Sequence, residues 1–277
     1  MQRYIDLHTH TNKSDGTMTP SELVRHAKES GLAAIALTDH DTVAGIEEAV
    51  SEGRRVGLEV IPGIELSVIS ETETHIIGLY IDPKAKALDR AMEKIIESRN
   101  VRNIETSRLL KELGIDISVK EAEELAEGGI VGRIHFAKLM VQKGYSETVK
   151  EAFDNYLATG KPAFCGRQGI TAKEAIEIIR DSGGYSFAAH LHLMRRDDEN
   201  LRAYIKELKG YGLDGIEGYY TDYSPEMHEK YMMLARELHL KISGGTDFHA
   251  GTKPHISIGF GLGNLRVPYA LLAQIKN

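Results

Sequence analysis

Short apolar runs alternating with helical segments recur along this chain, and that rhythm constrains its fold more than any other feature. Tyr4-Ile5-Asp6-Leu7 opens the pattern as a short strand. At Thr19-Pro20-Ser21-Glu22 a helix begins, with Thr19 as the cap, Pro20 in the first helical position and Glu22 completing a capping box. Ala33 to Leu37 is apolar throughout, as in a strand covered on both faces. Pro62 to Leu66, His75 to Ile81, Tyr185 to Ala189, Gly215 to Tyr220 and Lys241 to Ser243 continue the series. About seven strands, mostly separated by helices, predict an α/β fold that closes, or nearly closes, into a barrel. From about residue 83 to 161 the rhythm stops and helical patterns remain with almost no strand, including a short acidic helix from Val119 to Glu127. Such a block predicts an inserted small helical subdomain over 83–161, with the barrel built from 1–82 and 162–277.

Composition narrows the function classes. The formal net charge of -7 gives no broad cationic surface for long duplex nucleic acid. No apolar run approaches the ~20 residues of a membrane helix, and no basic, apolar leader precedes the first strand. One cysteine, Cys165, cannot form an intramolecular disulfide, so a reducing, cytoplasmic setting is expected.

The chemistry-bearing residues sit at strand ends. His8 and His10 follow the first strand, and in an extended chain they point the same way. Asp39 and His40 follow the second strand, Glu65 the third, His190 the fifth, and Asp247 with His249 the seventh. The carboxyl ends of barrel strands meet on one face, where active sites lie, so these distant positions converge. Asp15 joins them from the loop after the first strand; His75 opens its strand and falls outside this logic. Imidazole and carboxylate without thiolate favour Mn, Fe or Zn. The set exceeds the needs of one ion, and a carboxylate such as Glu65 suits a bridge between two. Multi-metal sites of this kind polarise a phosphoryl group and generate a hydroxide.

His8-Thr9-His10, Ser14-Asp15-Gly16-Thr17, Thr38-Asp39-His40-Asp41, Gly63-Ile64-Glu65 and Gly245-Thr246-Asp247-Phe248-His249 resemble, in order, the motifs of the polymerase and histidinol phosphatase (PHP) family. The resemblance spans nearly the whole chain. It implies a distorted (β/α)7 barrel with a trinuclear centre of up to three divalent ions. His8, His10, Glu65 and Asp247 would hold the first ion. Glu65, His75 and His190 would hold the second, and Asp15, His40 and His249 the third. His75 enters the set through the resemblance alone. Within 83–161 and just after it, Ser98 to Asn103, Gly132 to Ala137, Tyr156-Leu157 and Gly160-Lys161-Pro162 are similar to family members acting on nucleoside 3′,5′-bisphosphates, some of whose relatives trim short oligoribonucleotides from the 5′ end.

The expected activity is therefore a metal-dependent hydrolase that removes the 3′-phosphate of a nucleoside 3′,5′-bisphosphate with a metal-bound hydroxide. Arg133 and His135, at a helix start where anions bind, are the expected phosphate contacts. Arg99 and Arg102 lie three apart on a helix and share a face, as a substrate wall or as a solvated surface. After His190 the family usually has Pro, whereas this chain has Leu191-His192, making His192 a candidate helper in catalysis. The alternatives are a 5′-to-3′ exonuclease on short oligoribonucleotides, a histidinol-phosphate phosphatase, and a metal-binding interaction module without turnover. Glu217 ends the sixth strand with no ligand role assigned to it.

Overall fold

The computed structural model describes residues 3–126, 129–166 and 169–276. Among them, one sheet contains β1 (Tyr4–Asp6), β2 (Ala34–Leu37), β3 (Glu59–Ser67), β4 (His75–Leu79), β5 (Tyr185–Ala188), β6 (Gly215–Tyr220), β7 (Lys241–Gly245) and β8 (Val267–Pro268). Their spatial order is β7-β6-β5-β4-β3-β2-β1-β8. The chain just past β1 closes the barrel, with the Leu7 N–H donating to the Gly244 carbonyl at 3.1 Å and the His10 N–H to the Phe248 carbonyl at 2.9 Å. The seven-stranded barrel expected from the rhythm is present. Two-residue β8 adds an eighth strand, antiparallel to β1.

β1, β2 and β3 run parallel, as do β5, β6 and β7. β4 is antiparallel to both its neighbours. The cause is local: only residues 68–74 join β3 to β4, too few for the crossover that a parallel neighbour requires. This reversal fixes the place of His75. It pairs with Ser67 at the far end of β3, so the start of β4 lies at the barrel's carboxyl face. The strand-end rule left His75 out because it assumes parallel strands.

Helices α1 (Pro20–Glu29), α2 (Ile46–Val56), α7 (Ala172–Asp181), α8 (Asp198–Gly210), α9 (Pro225–Glu237) and α10 (Leu271–Lys276) accompany the strands. α1 carries the expected reciprocal cap between Thr19 and Glu22. α2 ends at Gly57, whose φ of 70° is the left-handed conformation glycine tolerates best. Alternation along β2 sends Ile35 and Leu37 to an apolar cluster shared with α1 and α7, and Ala34 and Ala36 to a second one with Ile61, Ile77 and Phe187. Each fully buried Ile or Leu contributes roughly 1.5–3 kcal/mol. α10 adds Leu272 and Ile275 to the second cluster.

Residues 83–161 carry no strand among those described. They form α3 (Lys86–Glu112), α4 (Val119–Leu125), α5 (Arg133–Gln142) and α6 (Val149–Ala152), the last continuing through a π-type turn, Phe153–Leu157. The helix expected over Val119–Glu127 ends at Leu125, and Glu127 lies outside the described residues. Leu110, Ile117, Phe136, Met140 and Leu157 make a separate apolar cluster there, which Ala163 joins. The first half of α3 instead sends Leu88 and Ile95 into the barrel's outer core. No helix of the described residues is long and apolar enough to cross a membrane.

Candidate metal centre

Glu65 stands at the centre of the barrel's carboxyl face, completely buried. Five imidazoles surround its two oxygens. His75 Nδ1 and His190 Nε2 lie 2.9 and 3.0 Å from Oε1. His40 Nδ1 lies 2.9 Å from Oε2, and His8 Nε2 and His10 Nε2 each lie 3.3 Å from it. Asp247 Oδ1 approaches His8 Nε2 at 3.5 Å and His10 Nε2 at 3.2 Å. On the opposite side of His10, Asp15 Oδ1 is 3.0 Å from His249 Nε2, and its Oδ2 is 3.9 Å from His40 Nε2. The fold thus brings all nine expected ligand residues to one place.

Buried neighbours fix the loops that carry them. Asp39 holds the loop before Asp15, accepting from the Thr11 N–H at 2.7 Å, the Thr11 hydroxyl at 2.6 Å and the Ser14 hydroxyl at 2.7 Å. Asp39 therefore organises the loop. Asp6 accepts from the Thr246 N–H at 2.9 Å and steadies the approach to Asp247. His190 and Asp247 both have positive φ, 27° and 55°, a backbone conformation costly for side-chain-bearing residues and held by its surroundings.

Glu217, left without a role by the sequence, proves central. Its Oε1 lies 2.9 Å from His8 Nδ1, and its Oε2 accepts from the His190 N–H at 2.7 Å. A carboxylate there requires a proton on Nδ1, so His8 turns the lone pair of Nε2 toward Glu65 and Asp247. Two further groups carry no motif: the Tyr220 hydroxyl donates to Asp247 Oδ2 at 2.8 Å, and Lys253 Nζ lies 2.5 Å from the same oxygen.

The donor set fits divalent transition ions. His8 Nε2, His10 Nε2 and Glu65 Oε2 are buried, converge, and have no hydrogen-bond partner among the described residues, which is costly unless a cation fills the gap between them. Four overlapping groups have donor atoms close enough to share an ion, among them His8-His10-Glu65-Asp247 and His10-Asp15-His40-His249. Electrostatics agrees. Burial pulls the His8 and His40 pKa values down, but the carboxylates outweigh it, raising His8 well above its ordinary value and His40 to about 9. Burial pushes Glu65 up, and His40, His8 and His75 more than reverse it. The carboxylates thus demand positive charge at their centre, as protons or as metal. Burial takes His249 down to about 4, a neutral imidazole suited to ligation.

A cleft of about 350 Å³ opens over this cluster, with Arg99, Arg102 and Arg133 in its wall. Arg99 and Arg102 are only 6% and 3% exposed, so the solvated-helix alternative does not hold. Arg99 pairs with Asp41, which also accepts from the Ser67 N–H at 2.8 Å. Arg102 donates to Asn103 Oδ1 at 2.8 Å and to the Val131 carbonyl at 3.1 Å. Arg133 heads α5 and donates to the Leu157 carbonyl at 3.1 Å, with its guanidinium 5.3 Å from the Phe164 ring centroid. His135 is buried and does not line this cleft; its Nδ1 accepts from the Gly132 N–H at 2.9 Å and caps α5. His192 also lies outside the cleft lining, its ring 5.4 Å from that of Tyr220 and 5.5 Å from that of Tyr223.

Known proteins resemble this chain in sequence and fold. The pattern defining the PHP domain matches residues 6–245. The 5′-3′ exoribonuclease Rnm of Escherichia coli is 36% identical over 257 residues, 92% of this chain and 87% of that protein. The 3′,5′-nucleoside bisphosphate phosphatase of Chromobacterium violaceum is 32% identical over 248 residues, 89% of this chain and 87% of the relative. A crystal structure from Bifidobacterium adolescentis, described as a metal-dependent phosphoesterase, superposes with a TM-score of 0.85 at 28% identity, covering 99% of this chain and 95% of that one. With the motifs in order, the barrel closed around them and the domain pattern spanning most of its length, this chain belongs to the PHP family.

Proposed function

We propose that this PHP-family metal-dependent phosphoesterase hydrolyses the 3′-phosphate of nucleoside 3′,5′-bisphosphates. One observation carries the reading: a single cleft has the His/Asp/Glu cluster on its floor and Arg99, Arg102 and Arg133 in its wall. A substrate with two phosphates has a place for each. His8, His10, Glu65 and Asp247 would hold one ion, Glu65, His75 and His190 a second, and Asp15, His40 and His249 a third, with Mn, Fe or Zn suited to these donors. Ions bound there supply Lewis-acid polarisation of a phosphoryl oxygen and activation of water. The protein's own part is placement. Glu217 orients His8, and Asp39 positions the Asp15 loop. The arginines, desolvated and already anchored, present charge to the second phosphate with little reorganisation. Lys253 and Tyr220 neutralise and fix the outer oxygen of Asp247.

Action on the 5′ end of short oligoribonucleotides is the second reading, favoured by the 36% identity to the E. coli exoribonuclease. The two reactions are chemically close. A 5′-phosphorylated RNA carries the same 5′-phosphate and 3′-phosphorus as a bisphosphate, with a diester in place of the monoester. Cleavage between the 3′-oxygen and its phosphorus would release a nucleoside 5′-monophosphate from the bisphosphate; the RNA counterpart would do so with its new 5′ end phosphorylated. The deciding experiment supplies Mn and compares phosphate release from adenosine 3′,5′-bisphosphate with mononucleotide release from a short 5′-phosphorylated oligoribonucleotide. Turnover of neither, alongside hydrolysis of an unrelated phosphate ester such as histidinol phosphate, would overturn the assignment.

A further inference from the structure

A cleft shaped for a polyanion contains one carboxylate outside the nine residues named above. Glu73 lines it beside Arg133, Lys253 and His190. A carboxylate in that position opposes a phosphate ester by like-charge repulsion unless a cation engages it. No hydrogen bond or ion pair ties Glu73 to another described residue. It faces two imidazoles as well as Arg133 and Lys253: Glu73, His75 and His190 each bring one donor atom within 4.8 Å of the other two. Its position is built rather than loose. On one side the Thr72 hydroxyl donates to the Met194 carbonyl at 2.9 Å, and on the other the Thr74 carbonyl accepts from the Val68 N–H at 3.2 Å.

We propose that Glu73 is a tenth metal-ligating residue, which with His75 and His190 would hold an ion at that end of the cluster, and that it yields its position to a phosphoryl oxygen of the substrate. The proposal rests on the reading of His75 and His190 as ligands. An ion held there would need a free position before it could take a phosphoryl oxygen. Of these three, His75 and His190 are held against the wholly buried Glu65, while Glu73 is exposed on the loop between β3 and β4. Rotation of its side chain frees the position without moving the backbone. The carboxylate then occupies the empty site, tightening metal retention between turnovers, and withdraws from the loaded one.

Metal binding without substrate tests this. Metal-free wild type, Glu73→Gln and, as a marker of that end of the cluster, His75→Ala are titrated with Zn²⁺ against a chromophoric chelator. The binding step lost in His75→Ala should be weakened at least about tenfold in Glu73→Gln, the low end of what disturbing a metal's supporting groups costs, while the other steps stay put. Circular dichroism should be unchanged, since the side chain is exposed. An unaltered isotherm in Glu73→Gln overturns the proposal, and so does that isotherm with reduced preference for ribo- over deoxyribonucleotide substrates, which would make Glu73 a hydroxyl acceptor. Failure of the wild type to take up metal overturns the proposed function as well, and so is distinguishable from failure of Glu73 alone.

Discussion

Replacing Glu217 with glutamine tests the site at its most buried support. Two donors converge on this fully buried carboxylate, the His8 ring at 2.9 Å and the His190 N–H at 2.7 Å. A glutamine of the same shape offers one oxygen and one NH₂, so it can accept from only one of them. The other is left facing a donor in a site closed to water, at a cost of roughly 1–3 kcal/mol. If His8 is the loser, its Nδ1 proton has no partner, and the ring no longer holds Nε2 toward Glu65 and Asp247. Loss of such an outer carboxylate weakens metal binding about 10- to 100-fold, or about 1.4–2.8 kcal/mol.

These two effects are separable. Metal-free Glu217→Gln should melt several degrees below wild type, at roughly 2–4 °C per kcal/mol for a chain of this size. Saturating Mn should raise the wild-type Tm and recover less of the loss in the variant at equal concentration, since stabilisation by a ligand scales with its affinity. A chelator-competition isotherm reads the affinity directly. Metal affinity within about twofold of wild type, with the Tm deficit intact, would refute the orienting role and leave Glu217 a structural residue.

Three other outcomes follow from the same geometry. Arg133→Ala should lower kcat/KM for adenosine 3′,5′-bisphosphate roughly 10- to 150-fold, the equivalent of a desolvated charge-assisted contact of about 1.5–3 kcal/mol, and hardly change a plain monophosphate; equal losses on both would assign Arg133 to the chemistry or the fold. Stripping metal with a chelator should abolish phosphatase activity and lower Tm, with both restored by Mn, and activity surviving in verified metal-free protein would refute the metal reading. Gly245→Ala should destabilise by about 1–3 kcal/mol and weaken metal binding, because the new Cβ would lie 2.4 Å from the His8 nitrogen and 2.5 Å from its Cβ; an unchanged melting curve would show that the β7 end can shift freely.

Much of this site was legible because its residues end strands, and strand ends converge wherever parallel strands close on themselves. His8, His10, His40, Glu65, His190, Asp247 and His249 all came from that rule. His75 escaped it because direction within a sheet depends on the length of a connection, and the short segment before β4 reverses the strand. Glu217, expected to end the sixth strand, lies inside β6 and carried no role, since a residue that only supports the ligand residues has no motif to mark it. The contacts of Lys253 and Tyr220 with Asp247 were invisible for a similar reason: Asp247 is 6 and 27 residues away, and only the fold measures that distance. Periodicity likewise could not distinguish a solvated arginine pair from one turned into a cleft, because α3 is charged along most of its length.

The burial of Arg99 and Arg102 bears on how a chain with a net charge of -7 would recognise the polyanion of the proposed function. A surface of that sign gives little long-range attraction to phosphate, so binding must come from contacts inside the cleft. Isolated buried guanidinium groups would be costly. Here each is stabilised before substrate arrives: Arg99 by Asp41, Arg102 by Asn103 and the Val131 carbonyl, Arg133 by the Leu157 carbonyl. The Leu157 carbonyl belongs to a π-type turn, a geometry that departs from regular helical pairing and often marks functional sites. Asp41 adds a second link, since it directly follows His40 and also accepts from the backbone of Ser67 at the end of β3. One carboxylate therefore ties α3 to the two strand ends that carry His40 and Glu65. The distance between the charged wall and the His/Asp/Glu floor is set by the fold, and under the proposed function this fixed distance would select a substrate by the spacing of its two phosphates.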